Sequence, residues 1–268
     1  MGCPCFVCQD SNPKNKRLRS SILFESKKTS NRYLLDCGPD LRQQLLLHKV
    51  EALDGVFLTH AHADHCNGID DLMGLTFQNP LPFYSCFSNL EILKHRFPYL
   101  FSSPSDSKKT TRLPSKAKLN FIALDESKEK ISSINITSTR EEKIKEADEI
   151  SFFLLPHGNI FSTAFVFNKE FAYLIDCHEI PECFLSYLSQ LSLKCLVLDC
   201  TTRPSHPTHL GLELFLKYTQ RIQAQETFCI HMGHALEHYW LEETLEKESQ
   251  GFSKGNCRPA YDGLEYPF

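Results

Sequence analysis

The sequence has no apolar stretch near the roughly 20 residues needed to cross a bilayer. Its first residues also lack the basic-then-apolar layout of a secretory leader. Together these absences make an intracellular, cytoplasmic chain without a membrane-spanning helix the expectation. Met1-Gly2-Cys3 opens like an acylation signal, but Phe6 stands where myristoylation wants Ser or Thr. Positive charge is scarce as well. A net charge of −4 argues against a protein that grips long nucleic acid by its overall field. The one basic cluster, Lys14, Lys16, Arg17 and Arg19, reads as a solvated loop, and nothing else looks like an arm for clamping RNA.

What is present is a globular composition, 41% apolar and 23% charged. A length of 268 residues fits one large α/β domain or two sandwiched halves. Twelve cysteines in an intracellular chain point to buried thiols and metal ligands rather than disulfides.

Along the chain, 20–24 (SSILF) and 32–36 (RYLLD) read as strands and 41–49 as a short helix. The apolar run GVFLTH has the look of a buried strand that delivers His60 at its C-terminal end. Residues 88–97 look helical. From about 102 to 149 the composition turns to Ser, Lys and Glu, as expected of an exposed insertion with one or two strands and partial disorder. Strands resume at 150–155, 162–167 and 171–175, followed by a helix at 182–190 and a strand at 195–198. A helix at 209–221, a strand at 227–230 and a helix at 236–248 complete the pattern. Strands alternating with helices indicate an α/β protein. YLLDCGPD and YLIDCHEIPE both end a strand in Asp-Cys, a faint echo that a fold of two similar halves would produce.

The run VFLTHAHADHCNG at 56–68 carries the chemistry. Imidazole nitrogens and a carboxylate suit zinc and its neighbours in the first transition row. On an extended loop His60 and His62, two apart, point the same way. Asp64 and His65 are adjacent and must diverge. Four donors so close cannot all reach one ion in a relaxed tetrahedron, so the spacing favours two ions. Further donors stand where strands end: His157 after SFFLLP, Asp176 after FAYLI and His231 after TFCI. Two ions about 3.5–4 Å apart need a bridging group, and Asp176 is the candidate.

This set resembles the metallo-β-lactamase superfamily. The segments GCPCFVCQDSNPKNKRLRSSILF, LLDCGPDLRQQLL, LTHAHADHCNGIDDL, LLPHGN, YLIDCHEIPE, RPSHPTHLGLEL, IHMGH and AYDGLEY look, in order, like the PhnP family of cyclic-phosphate phosphodiesterases. The resemblance implies a single α/β domain over 1–268, a four-layer αβ/βα sandwich of two mixed β-sheets with outer helices. By motif, His60, His62 and His157 should hold one ion, Asp64, His65 and His231 the other, and Asp176 should bridge them. Asp36 should brace the ligand loop by hydrogen bonds, and Gly38 and Gly68 should permit turns. CPCFVC places Cys3, Cys5 and Cys8 within reach of one structural zinc, whose fourth ligand by resemblance is His234. Cys66 is expected beside the ligands rather than among them. In the family a strand and a glycine-rich turn precede the cysteines, and the family often has Thr where Ile230 stands here.

The implied reaction opens a small cyclic phosphate, of the ribosyl 1,2-cyclic type, with hydroxide generated on two divalent ions, zinc or manganese. His209 is the expected proton donor to the leaving oxygen, with His206 a second choice and Asp199 placed to orient a ligand or His209. Asp64 counts with the catalytic residues as well as the ligands. His178 and His238 are expected at the surface. The expected partner is a small phosphodiester, with a homodimer allowed and neither membrane nor long nucleic acid. The alternatives are a tRNA-processing nuclease on this fold, or a zinc-stabilised binding module without activity.

Overall fold

The apolar runs and the polar stretches between them become two mixed β-sheets with flanking helices, an α/β fold. This computed structural model describes residues 2–77, 79–101, 117–139, 146–252 and 255–268. In chain order the first elements are α1 (Phe6–Gln9), β1 (Ile22–Glu25), β2 (Arg32–Leu35), α2 (Leu41–Leu47), β3 (Gly55–Phe57) and α3 (Ala63–Cys66). There follow β4 (Leu81–Cys86), α4 (Phe87–Arg96), α5 (Pro98–Phe101), β5 (Leu119–Leu124), β6 (Ser132–Thr137) and β7 (Ala147–His157). The last are β8 (Ile160–Phe167), β9 (Phe171–Leu174), α6 (Glu182–Gln190), β10 (Cys195–Asp199), α7 (Leu212–Ile222), β11 (Glu226–Ile230), α8 (His238–Ser249) and β12 (Asn256–Pro259).

Two compact units result. One comprises Arg19–Glu126 and Thr137–Ala147; the other comprises Met1–Leu18, Ser127–Ile136 and Asp148–Phe268. The first holds a five-stranded sheet in the order β1-β2-β3-β4-β5, antiparallel between β1 and β2 and parallel thereafter. β3 is flanked by parallel neighbours on both sides, and all three of its residues are buried, which accounts for its unbroken apolar sequence. Leu34, Val56, Leu58 and Phe83 pack with Leu41, Ile69, Leu72, Leu90 and Leu93 in this unit's core.

The second unit holds a seven-stranded sheet, β12-β11-β10-β9-β8-β7-β6, parallel from β12 to β9 and antiparallel from β9 to β7. α7 buries Phe215, Tyr218, Thr219 and Ile222, the i, i+3, i+4, i+7 face of a helix. Phe215, Tyr218 and Ile222 join Phe153, Phe184, Leu185 and Leu198 in the core.

Several boundaries differ from the sequence expectation. The helix expected at 209–221 starts at Leu212, so His209 lies in irregular chain before it. The cause is local: Thr202 bridges Gly211, the Leu212 N–H donates to Thr202 O, and a side chain at 211 would meet Pro204 O at 2.2 Å. β4 and β12, which carry Pro82 and Pro259, have no counterpart in the sequence reading. Of the expected insertion, β5, β6 and the start of β7 are described; residues 102–116 and 140–145, where disorder was expected, lie outside the described residues. Among the described residues no helix is long and apolar enough to cross a membrane.

Candidate metal centre

In the five-stranded unit the site begins where β2 stops. Asp36 follows Leu35 with φ +62°, a left-handed turn that points a fully buried carboxylate across the sheet end. Its Oδ1 accepts from the Thr59 N–H at 2.9 Å and the Thr59 hydroxyl at 2.9 Å. Its Oδ2 accepts from His65 Nδ1 at 2.9 Å. β3 hands the chain to Leu58, whose N–H still reaches Tyr84 O at 2.9 Å, and Thr59 to His62 then leave the sheet. His62 caps α3, which carries Asp64 in its first turn and the buried His65 in its last. The ring of His60 lies 4.5 Å from that of His62 and 4.4 Å from that of His65. His60 and His65 are fully buried, whereas His62 is exposed. Asp64 faces Arg19 at 3.6 Å.

This loop is held close to β2 by glycine. A β-carbon at Gly38 would stand 2.2 Å from Asp64 O, and one at Gly68 would stand 2.1 Å from Gly38 O. Both glycines open turns as expected, with the Leu41 N–H on Gly38 O and the Asp71 N–H on Gly68 O at 3.0 Å each, but neither has positive φ; what requires glycine there is that two backbone segments touch. Arg96 donates to Ala61 O at 2.6 Å and to Cys66 Sγ at 3.5 Å, so Cys66 stands behind the histidines, as expected.

In the seven-stranded unit every expected donor sits at or just past a strand end. His157 is the last residue of β7, Asp176 lies two past β9, Asp199 ends β10 and His231 follows β11. Asp176 and His231 have φ of +51° and +59°. His157 Nε2 is 3.5 Å from Asp176 Oδ2, and His231 Nδ1 is 3.2 Å from Asp176 Oδ1. Asp199 is fully buried; it accepts from the Thr201 hydroxyl at 2.6 Å and from His209 Nδ1 at 3.2 Å. Donor atoms of Asp176, Asp199, His209 and His231 all lie within 4.8 Å of one another. His206 is near, its ring 5.3 Å from that of His209, but its Nδ1 is taken up by Thr208.

Proton accounting shows which ring nitrogens suit a cation. A carboxylate only accepts, so the Thr59 hydroxyl gives its single hydrogen to Asp36 and its oxygen accepts from His60 Nδ1 at 3.0 Å. Thr201 repeats the arrangement: its hydroxyl donates to Asp199 and accepts from His231 Nδ1 at 3.1 Å. His65 Nδ1 donates to Asp36, and His157 Nδ1 to Thr208 O at 2.7 Å. All four rings are thereby held with Nδ1 protonated and Nε2 as the basic nitrogen, one of the two positions through which an imidazole binds a divalent cation. The five-stranded unit thus offers His60, His65 and the Asp64 carboxylate, and the seven-stranded unit His157, His231 and the Asp176 carboxylate, donor types that suit divalent cations.

Cys3, Cys5 and Cys8 place their sulfurs 3.3, 3.4 and 3.8 Å from His234 Nδ1. Ligand atoms around a tetrahedral zinc stand about 3.5–3.8 Å apart, so the four fit one ion. The Cys8 N–H, and then His234, lower the Cys5 thiol to about 6, which makes it a thiolate near neutral pH. Hydrogen bonding with Cys5 and burial push the Cys8 thiol up to about 11.

Two sequence expectations fail here. His238 is not at the surface: it is fully buried, and burial together with Lys14 and Arg17 lowers it to about 4. Arg17 is not solvated either; its guanidinium is bound to backbone carbonyls. Sequence reading also missed Thr59 and Thr201, although each lies within two residues of a predicted site residue.

Comparisons agree with the geometry. A model of the beta-lactamase superfamily domain matches residues 31–232. An octanoyltransferase of Porphyromonas gingivalis is 27% identical over 267 residues, 99% of this chain and 48% of that protein. The chain thus spans about half the length of that relative. A ribonuclease Z of Deinococcus radiodurans is 42% identical over 56 residues, 21% of this chain and 17% of its own. A solved diphosphatase of the PhnP family aligns with a TM-score of 0.80 at 26% identity, covering 100% of this chain and 91% of its own.

Proposed function

Since this chain belongs to the metallo-β-lactamase superfamily, we propose that it is a metal-dependent hydrolase whose substrate is a small phosphodiester, cyclic or diphosphate-linked. The observation that carries the metal reading is the set of four histidines braced at Nδ1. The substrate reading draws support from the likeness to the PhnP-family diphosphatase, which extends over the whole chain. A cyclic phosphate and a diphosphate diester present the same reacting centre, a phosphorus carrying two substituted oxygens.

In this reading His60, His62 and His157 would hold one divalent ion and Asp64, His65 and His231 the other, with the Asp176 carboxylate offered to both. Bound there, the ions would act as Lewis acids on water and on the phosphoryl oxygens. The chain's own task is to place those donors and to move a proton. His209 keeps Nδ1 on the Asp199 carboxylate at 3.2 Å, which fixes the ring. Its Nε2 proton then goes to the leaving oxygen, which would otherwise depart as an alkoxide. Asp199, fully buried, orients His209 and, through Thr201, His231.

A nuclease of the same fold is the second reading, supported by the ribonuclease Z likeness over 21% of the chain. A net charge of −4 favours the smaller substrate. The test is a panel for the metal-loaded protein: bis(p-nitrophenyl) phosphate, a ribosyl 1,2-cyclic phosphate, a dinucleoside diphosphate, a precursor tRNA and an octanoyl thioester. Turnover is expected on the small phosphodiesters, and His62→Ala should lower it about 100-fold or more with the circular dichroism unchanged. Faster turnover of the tRNA or the thioester, or near-normal rates in His62→Ala, would overturn the assignment.

A further inference from the structure

His231 is the first residue of a short loop that also carries His234, so two donors expected on different ions depend on one stretch of backbone. The loop starts under strain, with φ +59° at His231, a left-handed conformation that is unfavourable for a non-glycine residue. Such a residue stays in place only where its surroundings hold it. Part of the hold comes from within: the Gly233 N–H donates to Thr201 O at 2.9 Å and the Leu236 N–H to Gly233 O at 3.1 Å.

Arg203 Nε adds one bond, to Ala235 O at 3.1 Å, and Arg17 adds three. Its Nη1 donates to Met232 O at 3.4 Å and Gly233 O at 3.2 Å, and its Nη2 to Leu236 O at 2.7 Å. Nη2 also reaches Asn15 Oδ1 at 3.1 Å, and Nε reaches Lys14 O at 3.3 Å. Every guanidinium nitrogen is thus engaged, and none of the acceptors is a carboxylate. Burial holds the group's pKa below its ordinary value, so the cation is kept there at a desolvation cost. A half-buried arginine committed to the carbonyls of one loop acts on that loop's shape. Asn15 completes the fastening with all four of its hydrogen-bonding positions in use: it donates to Asp10 and Glu237 and accepts from Arg17 and the His238 N–H.

We propose that Arg17 is a positioning residue for His231: by gripping the carbonyls of Met232, Gly233 and Leu236 it fixes the loop from which that imidazole reaches its ion. This rests on the metal reading above. A lysine offers a single nitrogen and cannot span three carbonyls spread from 232 to 236.

The experiment compares wild type with Arg17→Ala and Arg17→Lys after chelation and reloading with zinc. Bound metal is counted by mass spectrometry after desalting, and affinities are taken from calorimetric titration. Cobalt loading, read through its thiolate charge-transfer absorption, reports independently on Cys3, Cys5 and Cys8. Wild type should take two ions besides the thiol-bound one. Arg17→Ala should bind one of those two about 10- to 100-fold more weakly and keep the thiolate absorption, with Arg17→Lys intermediate. Unchanged affinity for both ions in both variants would overturn the proposal. So would loss of all three ions together with the fold in both variants, which would make Arg17 a folding residue only. A wild-type protein that takes no ion pair would instead overturn the functional reading itself.

Discussion

Acid should destabilise this protein through His238, and the effect can be sized. The ring at the start of α8 is fully buried and lies between Tyr239 and Tyr261, with ring centroids 5.8 and 5.9 Å away. Burial first, then the charges of Lys14 and Arg17, lower it from 6.5 to about 4, while Glu237 opposes the change. Between those two values the unfolded chain binds a proton that the folded chain refuses. Stability contributed by the neutral ring is therefore fully present above pH 6.5 and is lost as pH falls from 6.5 to about 4. At about 1.4 kcal/mol for each pH unit, the whole loss is on the order of 3 kcal/mol, of which about 2 falls between pH 7 and 4.5. Urea denaturation of the metal-free protein at about pH 7 and about pH 4.5 measures it. His238→Phe keeps a ring of similar size without the titration. The fall in unfolding free energy over that range should be smaller by about 2 kcal/mol in the variant. Equal falls in the two proteins would refute the reasoning, whatever their absolute stabilities.

Two further outcomes can be checked alongside. Gly68→Ala should destabilise the fold by about 3 kcal/mol, because its β-carbon would stand 2.1 Å from a backbone carbonyl. Gly74→Ala, which meets nothing within 4 Å, is the control, and equal stabilities would contradict the close-approach argument. Cys5→Ser should lower the zinc content by one ion and the melting temperature by about 3–8 °C, since the serine hydroxyl cannot replace a thiolate. Zinc loss with an unshifted melting temperature would show that the thiol cluster does not fasten the N-terminal segment.

Much of the metal centre could be read from sequence because its chemistry is local. His60, His62, Asp64 and His65 are crowded into six positions, and His157, Asp176, Asp199 and His231 each close an apolar run. The thiol cluster was visible for the same reason, with His234 supplied by family likeness and now found 3.3 Å from Cys3 Sγ. What sequence could not show depends on neighbours far along the chain. Arg17 looks solvated until the loop some 215 residues later is seen to wrap it. A threonine beside a ligand is unremarkable until its single hydrogen is assigned to Asp36 or Asp199, which settles the tautomer of the next ring. His238 has no partner motif, so its burial was beyond the reach of pattern. The strand β12 alternates exposed and buried residues, but at four residues ending in Pro259 it is too short for pattern to betray it.

The left-handed turns at Asp36, Asp176 and His231 bear on how this chain can change over generations. At each of them substitution is resisted twice, once by the chemistry of the side chain and once by a conformation that glycine accepts freely, asparagine tolerates and branched residues shun. Descendants that abandon the chemistry but keep the scaffold should drift there to glycine or asparagine before alanine or valine. Those three positions are accordingly where a silent copy of this protein would first show itself.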